Sequence, residues 1–207
     1  MKKTFMALSV LVALTACNEN KSKTTEKEAP KVAGATKEAE PAKEAYTAAD
    51  STADASVKGY TVKLVEGKHK YSGGYTRIKY SNTLQTLDEA RANAKKKMTA
   101  DDELASDLQS IREIGLGGTL RLDIGRGTIG AANTKWFTIV IKDMNDKELF
   151  RKQLDNDIPE TPSSGMSGGN WWNIDILGID KKIRPPFYVY VADQLQDAPF
   201  KFLVSPK

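Results

Sequence analysis

Two stretches near the C-terminus, Phe187-Tyr188-Val189-Tyr190-Val191 and Phe200-Lys201-Phe202-Leu203-Val204, read F-x-V-x-V and F-x-F-x-V. Alternation of this kind sends one set of side chains to each face of a strand, and the aromatic and β-branched content suits a pleated, half-buried surface. Working outward, the same period returns at 60–65, 75–80, 119–124, 136–141, 148–154 and 171–177. Asp143-Met144-Asn145-Asp146 is turn chemistry between two of these runs. Ser72-Gly73-Gly74 is expected to close a hairpin between the first two.

The period changes once. Thr86 with Glu89 forms a capping box, and Leu87, Ala90, Ala94 and Met98 follow at helical spacing. Thr99 restarts the pattern through Leu104, Leu108 and Ile111, and Gly115 ends it. We therefore expect a mainly β head over 58–207, an antiparallel β-sandwich or barrel-like fold with one helical excursion at about 86–112. Some 150 residues bury enough surface to fold without staples.

Upstream of the head the composition is different. Residues 18–57 lack apolar periodicity, and Lys-Glu-Ala recurs at 27–29, 37–39 and 43–45 with Pro30 and Pro41 between. Low hydrophobicity and mixed charge predict a disordered tether. As a flexible coil it would average roughly 35 Å end to end. Further back, Lys2-Lys3 precedes an apolar run from Phe5 to Leu14, broken only by Ser9. That run is too short to span a bilayer, which takes about 20 residues, and fits a signal peptide. It ends in Leu14-Thr15-Ala16-Cys17, with the one cysteine of the chain.

Leu14, Thr15, Ala16 and Cys17 resemble the lipobox of bacterial lipoprotein precursors. The resemblance implies cleavage after Ala16, diacylglyceryl attachment to the Cys17 sulfur and acylation of the new amino terminus. Small side chains at 15 and 16 suit a protease groove, a thiolate suits lipid transfer, and two or three acyl chains anchor where one does not. The expected layout is a signal peptide at 1–16, a lipid anchor and flexible linker at 17–57, and the β-rich domain at 58–207. Asn18, where lipoproteins kept at the inner membrane usually carry Asp, points to the outer membrane if the source is Gram-negative. Export would permit disulfides, yet with Cys17 lipidated none can form, so the head must hold by packing.

Composition narrows function more than it names it. Residues 1–57 hold eight basic and eight acidic side chains, so the net charge of +4 belongs to the remainder, where it is interleaved with acids. Such a surface has no basic stripe for nucleic acid. Gly125-Arg126-Gly127-Thr128-Ile129-Gly130 matches G-x-G-x-x-G but leads into a strand rather than a helix, so it reads as an inter-strand loop. His69, the sole histidine, lies between Lys68 and Lys70, which suggests an exposed loop, and one imidazole excludes multi-histidine zinc sites. No metal and no cofactor are expected, and the Asp/Asn runs at 143–146 and 155–157 read as turns. Trp171-Trp172 is the most suggestive pair: on a strand one indole should enter the core and the other stand outside. Tyr188 and Tyr190 lie opposite Phe187, Val189 and Val191 and would share that outer face; the alternative is that both sheets are covered and all four aromatics are core. An exposed indole can stack on a sugar or anchor a protein. These observations favour a non-catalytic head that binds a glycan, a protein or another envelope component. The alternative is an envelope enzyme acting on polysaccharide through carboxylates or a loop calcium.

Overall fold

The structure, a computed structural model, describes residues 44–162 and 169–207. The expectations for the signal peptide, for Leu14, Thr15, Ala16 and Cys17, and for most of the linker fall outside the described residues. Helix α1 (Ala48–Ala55) opens the fold, followed by strands β1 (Tyr60–Glu66) and β2 (Tyr75–Ser81). Helices α2 (Thr83–Lys97) and α3 (Asp101–Ile114) come next, then β3 (Thr119–Arg126). After a 3-10 turn at Thr134–Trp136 the chain continues as β4 (Phe137–Lys142), β5 (Glu148–Gln153), β6 (Trp171–Gly178), β7 (Phe187–Asp193) and β8 (Phe200–Pro206).

All eight expected strands are present, in two antiparallel sheets ordered β1-β8-β7-β4-β5 and β2-β3-β6. The fold is an open sandwich, not a barrel. Period-two alternation builds its core directly. Phe187, Val189 and Val191 point inward beside Phe200, Phe202 and Val204, against Tyr80, Leu120, Leu122, Ile124 and Leu177 of the facing sheet. Each such side chain contributes about 1.5–3 kcal/mol on full burial, which answers the need to fold without disulfides.

The structure corrects three local expectations. First, β1 and β2 do not form a hairpin, since β1 pairs with β8 and β2 with β3. The chain leaves β1 at Gly67, whose φ of +117° is open to glycine. A Cβ there would sit 2.8 Å from the Phe200 backbone. That close approach holds the end of β1 on β8 while the loop crosses to the other sheet.

Second, α2 begins before Thr86. Asn82 is the cap, its side chain accepting from Gln85 N at 2.9 Å while Gln85 Oε1 accepts from Asn82 N at 3.1 Å. Two overlapping boxes compete here, and tertiary contacts decide between them. Asn82 Nδ2 also donates to the Asp54 carbonyl and to Tyr60 Oη, whereas Thr86 turns back to Asn82 O and Thr119 Oγ1. The left-handed Met98, at φ 52°, separates α2 from α3.

Third, residues 48–55, expected to belong to the linker, form α1 and are part of the folded unit Ala42–Lys207. The helix has no apolar stripe; its buried residues are Asp50 and Asp54. A capping box of Thr47 and Asp50 starts it. Lys182 Nζ and Arg184 Nη2 each reach Asp50 at 3.0 Å, and Tyr46 Oη donates to Asp54 at 2.8 Å. Hydrogen bonds from Thr47, then the two cations, hold the Asp50 carboxyl well below the usual carboxylate range.

Strand directions give the sandwich two unlike ends. At one, α1 enters β1 and Lys207 N bonds Gly59 O. At the other lie the loops after β1, β3 and β7 and the described residues that follow β5.

Candidate functional site

The aromatic residues singled out in the sequence separate in space. Trp171 pairs with Arg126 on the inward row of β6, and Trp172 with Gly125 on the outward row. Both indoles are half-buried and neither belongs to the core cluster, so the expected split into one core and one exposed tryptophan is not what the structure shows. The reason is position: both lie at the strand end, where Glu160 bridges to Trp172 through paired backbone hydrogen bonds. The most exposed apolar residue of that strand is Ile176, at 64%.

Tyr188 and Tyr190 do alternate outward from Phe187, Val189 and Val191, but on the other sheet. They share no face with Trp172. Lys201 Nζ lies 4.4 Å from the Tyr188 ring centre and 5.5 Å from that of Tyr190, where Lys142 adds a contact at 5.2 Å. These rings are already engaged by cations of their own sheet. No single aromatic platform therefore joins the four residues.

What the structure gathers instead is a cleft of about 260 Å³ at the loop end. The β1–β2 loop supplies His69 and Tyr71, the β3–β4 loop Gly127, Thr128 and Ala131, and the β7–β8 turn Leu195 and Gln196. Arg126, the last residue of β3, lines it as well. Its guanidinium carries five N–H donors, and the protein takes all of them. Nε and Nη2 bind Asp193 Oδ2 at 3.2 and 2.8 Å, Nη2 binds Thr76 Oγ1, and Nη1 binds the carbonyls of Tyr75 and Gly125. Side-chain exposure is 6% for Arg126 and 0% for Asp193, so this is a buried ion pair with its hydrogen bonds complete.

His69 is half-buried against Phe200, ring centres 4.5 Å apart. The flanking lysines face solvent while the imidazole turns inward, which corrects the exposed-loop reading. Its Nδ1 is buried without a hydrogen-bond partner. Burial first, and then the nearby Arg126 guanidinium, push its pKa down, so the ring is neutral at pH 7.

The G-x-G-x-x-G run is a loop, as read. Gly125 is glycine because the Tyr75 ring occupies the space of a Cβ, whereas Gly127 and Gly130 face open space. Asp143 accepts from Asn145 N and Lys147 N, closing the β4–β5 turn.

Sequence reasoning missed His69 and Arg126 as lining residues. For Arg126 a signal existed: Leu120, Leu122, Ile124 and Arg126 share one phase, as do Phe187, Val189, Val191 and Asp193. Two opposite charges thus end two inward rows.

Residues 1–18 match a family model described as the prokaryotic membrane lipoprotein lipid attachment site. No curated protein and no solved structure matches the chain. The chain therefore carries the leader of a bacterial lipoprotein precursor, lipobox included, ahead of a C-terminal domain that no comparison recognises.

Proposed function

We propose that this chain is a lipid-anchored envelope protein whose sandwich head is a non-catalytic binding module, with the loop-end cleft as its binding site. The observation that carries the reading is the wall of that cleft. It holds a neutral imidazole, a guanidinium whose donors are all engaged, and no carboxylate among its described lining residues. Hydrolysis of a glycoside calls for a pair of carboxyl groups facing the substrate, and the described residues of this cleft offer none. A concave, mostly apolar pocket with a few polar groups is instead the usual form of a ligand site. The cleft also lies at the end of the sandwich opposite α1.

The lipid side of the proposal is specific. Cleavage follows Ala16, Cys17 takes the lipid, and Asn18 directs the protein to the outer membrane in a Gram-negative cell. The partner is an envelope protein or another envelope component reached by a head that stands off the membrane.

The head alone, residues 42–207, forms one unit and can be tested without its anchor. Gly127 lines the cleft and has open space around its Cβ position, as does Gly130, which lies outside the lining. Gly127→Trp should plug the cleft without strain, with Gly130→Trp as the control. We expect the unmodified head and the control to sediment with envelope fragments, and the plugged variant to stay in solution. Sedimentation that the plug leaves unchanged would overturn the assignment of the site.

A further inference from the structure

We infer that the cleft accepts a neutral aromatic ring system of about ten non-hydrogen atoms, either as a free small molecule or as a side chain of a partner protein. The inference rests on the proposal that this end of the head is the binding end, and adds the chemical class of what binds.

Volume sets the size. A dry cavity of ~150 Å³ holds one benzene. At the same packing, about 260 Å³ holds roughly ten heavy atoms, the size of an indole or a substituted phenyl ring.

Charge sets the class. The guanidinium is balanced by Asp193 and the imidazole is uncharged near neutrality, so the wall favours neither anion nor cation. A pyranose of similar size carries a hydroxyl on nearly every ring carbon, and each needs a partner when desolvated. The described wall supplies few of them. Arg126 has no free donor, Gln196 Oε1 already accepts from Lys70 N, and Thr128 Oγ1 accepts from Ala131 N. The hydroxyls of Tyr71, Ser72 and Thr128 and the Gln196 amide N–H groups remain, set among Gly74, Gly127, Ala131 and Leu195.

Geometry favours a flat ring over an aliphatic chain. A guanidinium whose in-plane donors are all engaged still offers the face of its plane, which stacks on aromatic rings. One face of the Arg126 guanidinium is covered by Phe137, 5.2 Å from the ring centre, which leaves the opposite face as its contact for a ligand. His69 Nδ1 is walled in, so Nε2 is the ring nitrogen able to exchange one hydrogen bond with a ligand. One polar handle on an apolar body matches an indole or a phenol.

The test uses the head with its imidazole nitrogens ¹⁵N-labelled. Indole, N-acetyl-tryptophanamide and N-acetylglucosamine are titrated separately and followed by the His69 resonances and by calorimetry. We expect indole to bind and shift the His69 signals, and N-acetylglucosamine to do neither. Binding of N-acetyl-tryptophanamide within about tenfold of indole identifies a protein side chain as the natural source. Its exclusion identifies a free small molecule. Gly127→Trp should weaken indole at least tenfold. Leu195→Glu, at a residue 38% exposed and so tolerant of charge, should weaken it as well. Unchanged unfolding midpoints would show that both variants are folded. No indole binding, or N-acetylglucosamine binding as tightly, overturns the inference. If indole fails while Gly127→Trp still abolishes sedimentation with envelope fragments, the ligand class falls and the binding site stands.

Discussion

Arg126 lines the cleft and Asp193 is buried behind it, and removing one of them should be among the costliest single changes in the head. Asp193→Ala leaves the guanidinium with three hydrogen bonds, to Thr76, Tyr75 and Gly125, but with no counter-charge in a site where the side chain is 6% exposed. Breaking a buried pair from one side costs about 3–5 kcal/mol. With a urea dependence of about 2 kcal/mol per molar for a domain of this size, the unfolding midpoint should fall by roughly 1.5–2.5 M. Arg126→Met with Asp193→Leu removes both charges. It still strips a donor from two carbonyls, at about 1–3 kcal/mol for each left unsatisfied, so recovery should be partial. The assay is urea unfolding of the head, of Asp193→Ala, and of Arg126→Met and Asp193→Leu singly and together, followed by far-ultraviolet dichroism, with the coupling energy read from the cycle of the last three. A loss below about 1 kcal/mol for Asp193→Ala would mean that water reaches the guanidinium and neutralises the penalty. The site would then be wet, and Arg126 would be open to ligands.

Three further outcomes follow from single residues. Arg184→Ala should free α1, which is held by polar contacts alone; limited proteolysis should then cut between 42 and 58, more so at high salt, while 58–207 resists. Because the folded-state pKa of His69 is lowered, the unfolded chain binds its proton first, so stability should fall as pH drops below about 6.5. His69→Gln should remove that part of the pH dependence in unfolding midpoints taken between pH 5 and 8. Asp175 has its carboxyl pKa raised by burial, offset in part by Lys152, so Asp175→Asn should raise the midpoint at pH 7, with the gain shrinking as pH falls through the carboxylate range.

The strands were legible because one face of each is buried, and burial on one side of a pleat writes itself as period two. Phe187 to Val191 and Phe200 to Val204 needed no other information. Sheet membership was not legible, since β1 and β2 read alike and only the close approach at Gly67 sends them to different layers. Helix α1 escaped because its stability lies in Lys182 and Arg184, more than 120 residues downstream, and not in its own pattern. The cleft escaped for a related reason. Lys68 and Lys70 made His69 look solvated, and the glycines around Arg126 drew attention to the loop and away from the phase that Arg126 shares with Leu122 and Ile124. The tryptophans promised a platform because alternation assigns faces but says nothing of how far a strand end is covered.

The loop end of the head, and not its α1 end or its tyrosine face, is where we propose that this lipoprotein meets its ligand. Photo-crosslinking in intact cells tests it most directly, with a diazirine side chain placed in the lipidated protein at Thr128, at Lys207 or at Tyr190. A discrete adduct is expected from Thr128 that disappears when Gly127→Trp is added, and none from Lys207 or Tyr190. An adduct formed from Lys207 or Tyr190 and absent from Thr128 would contradict it.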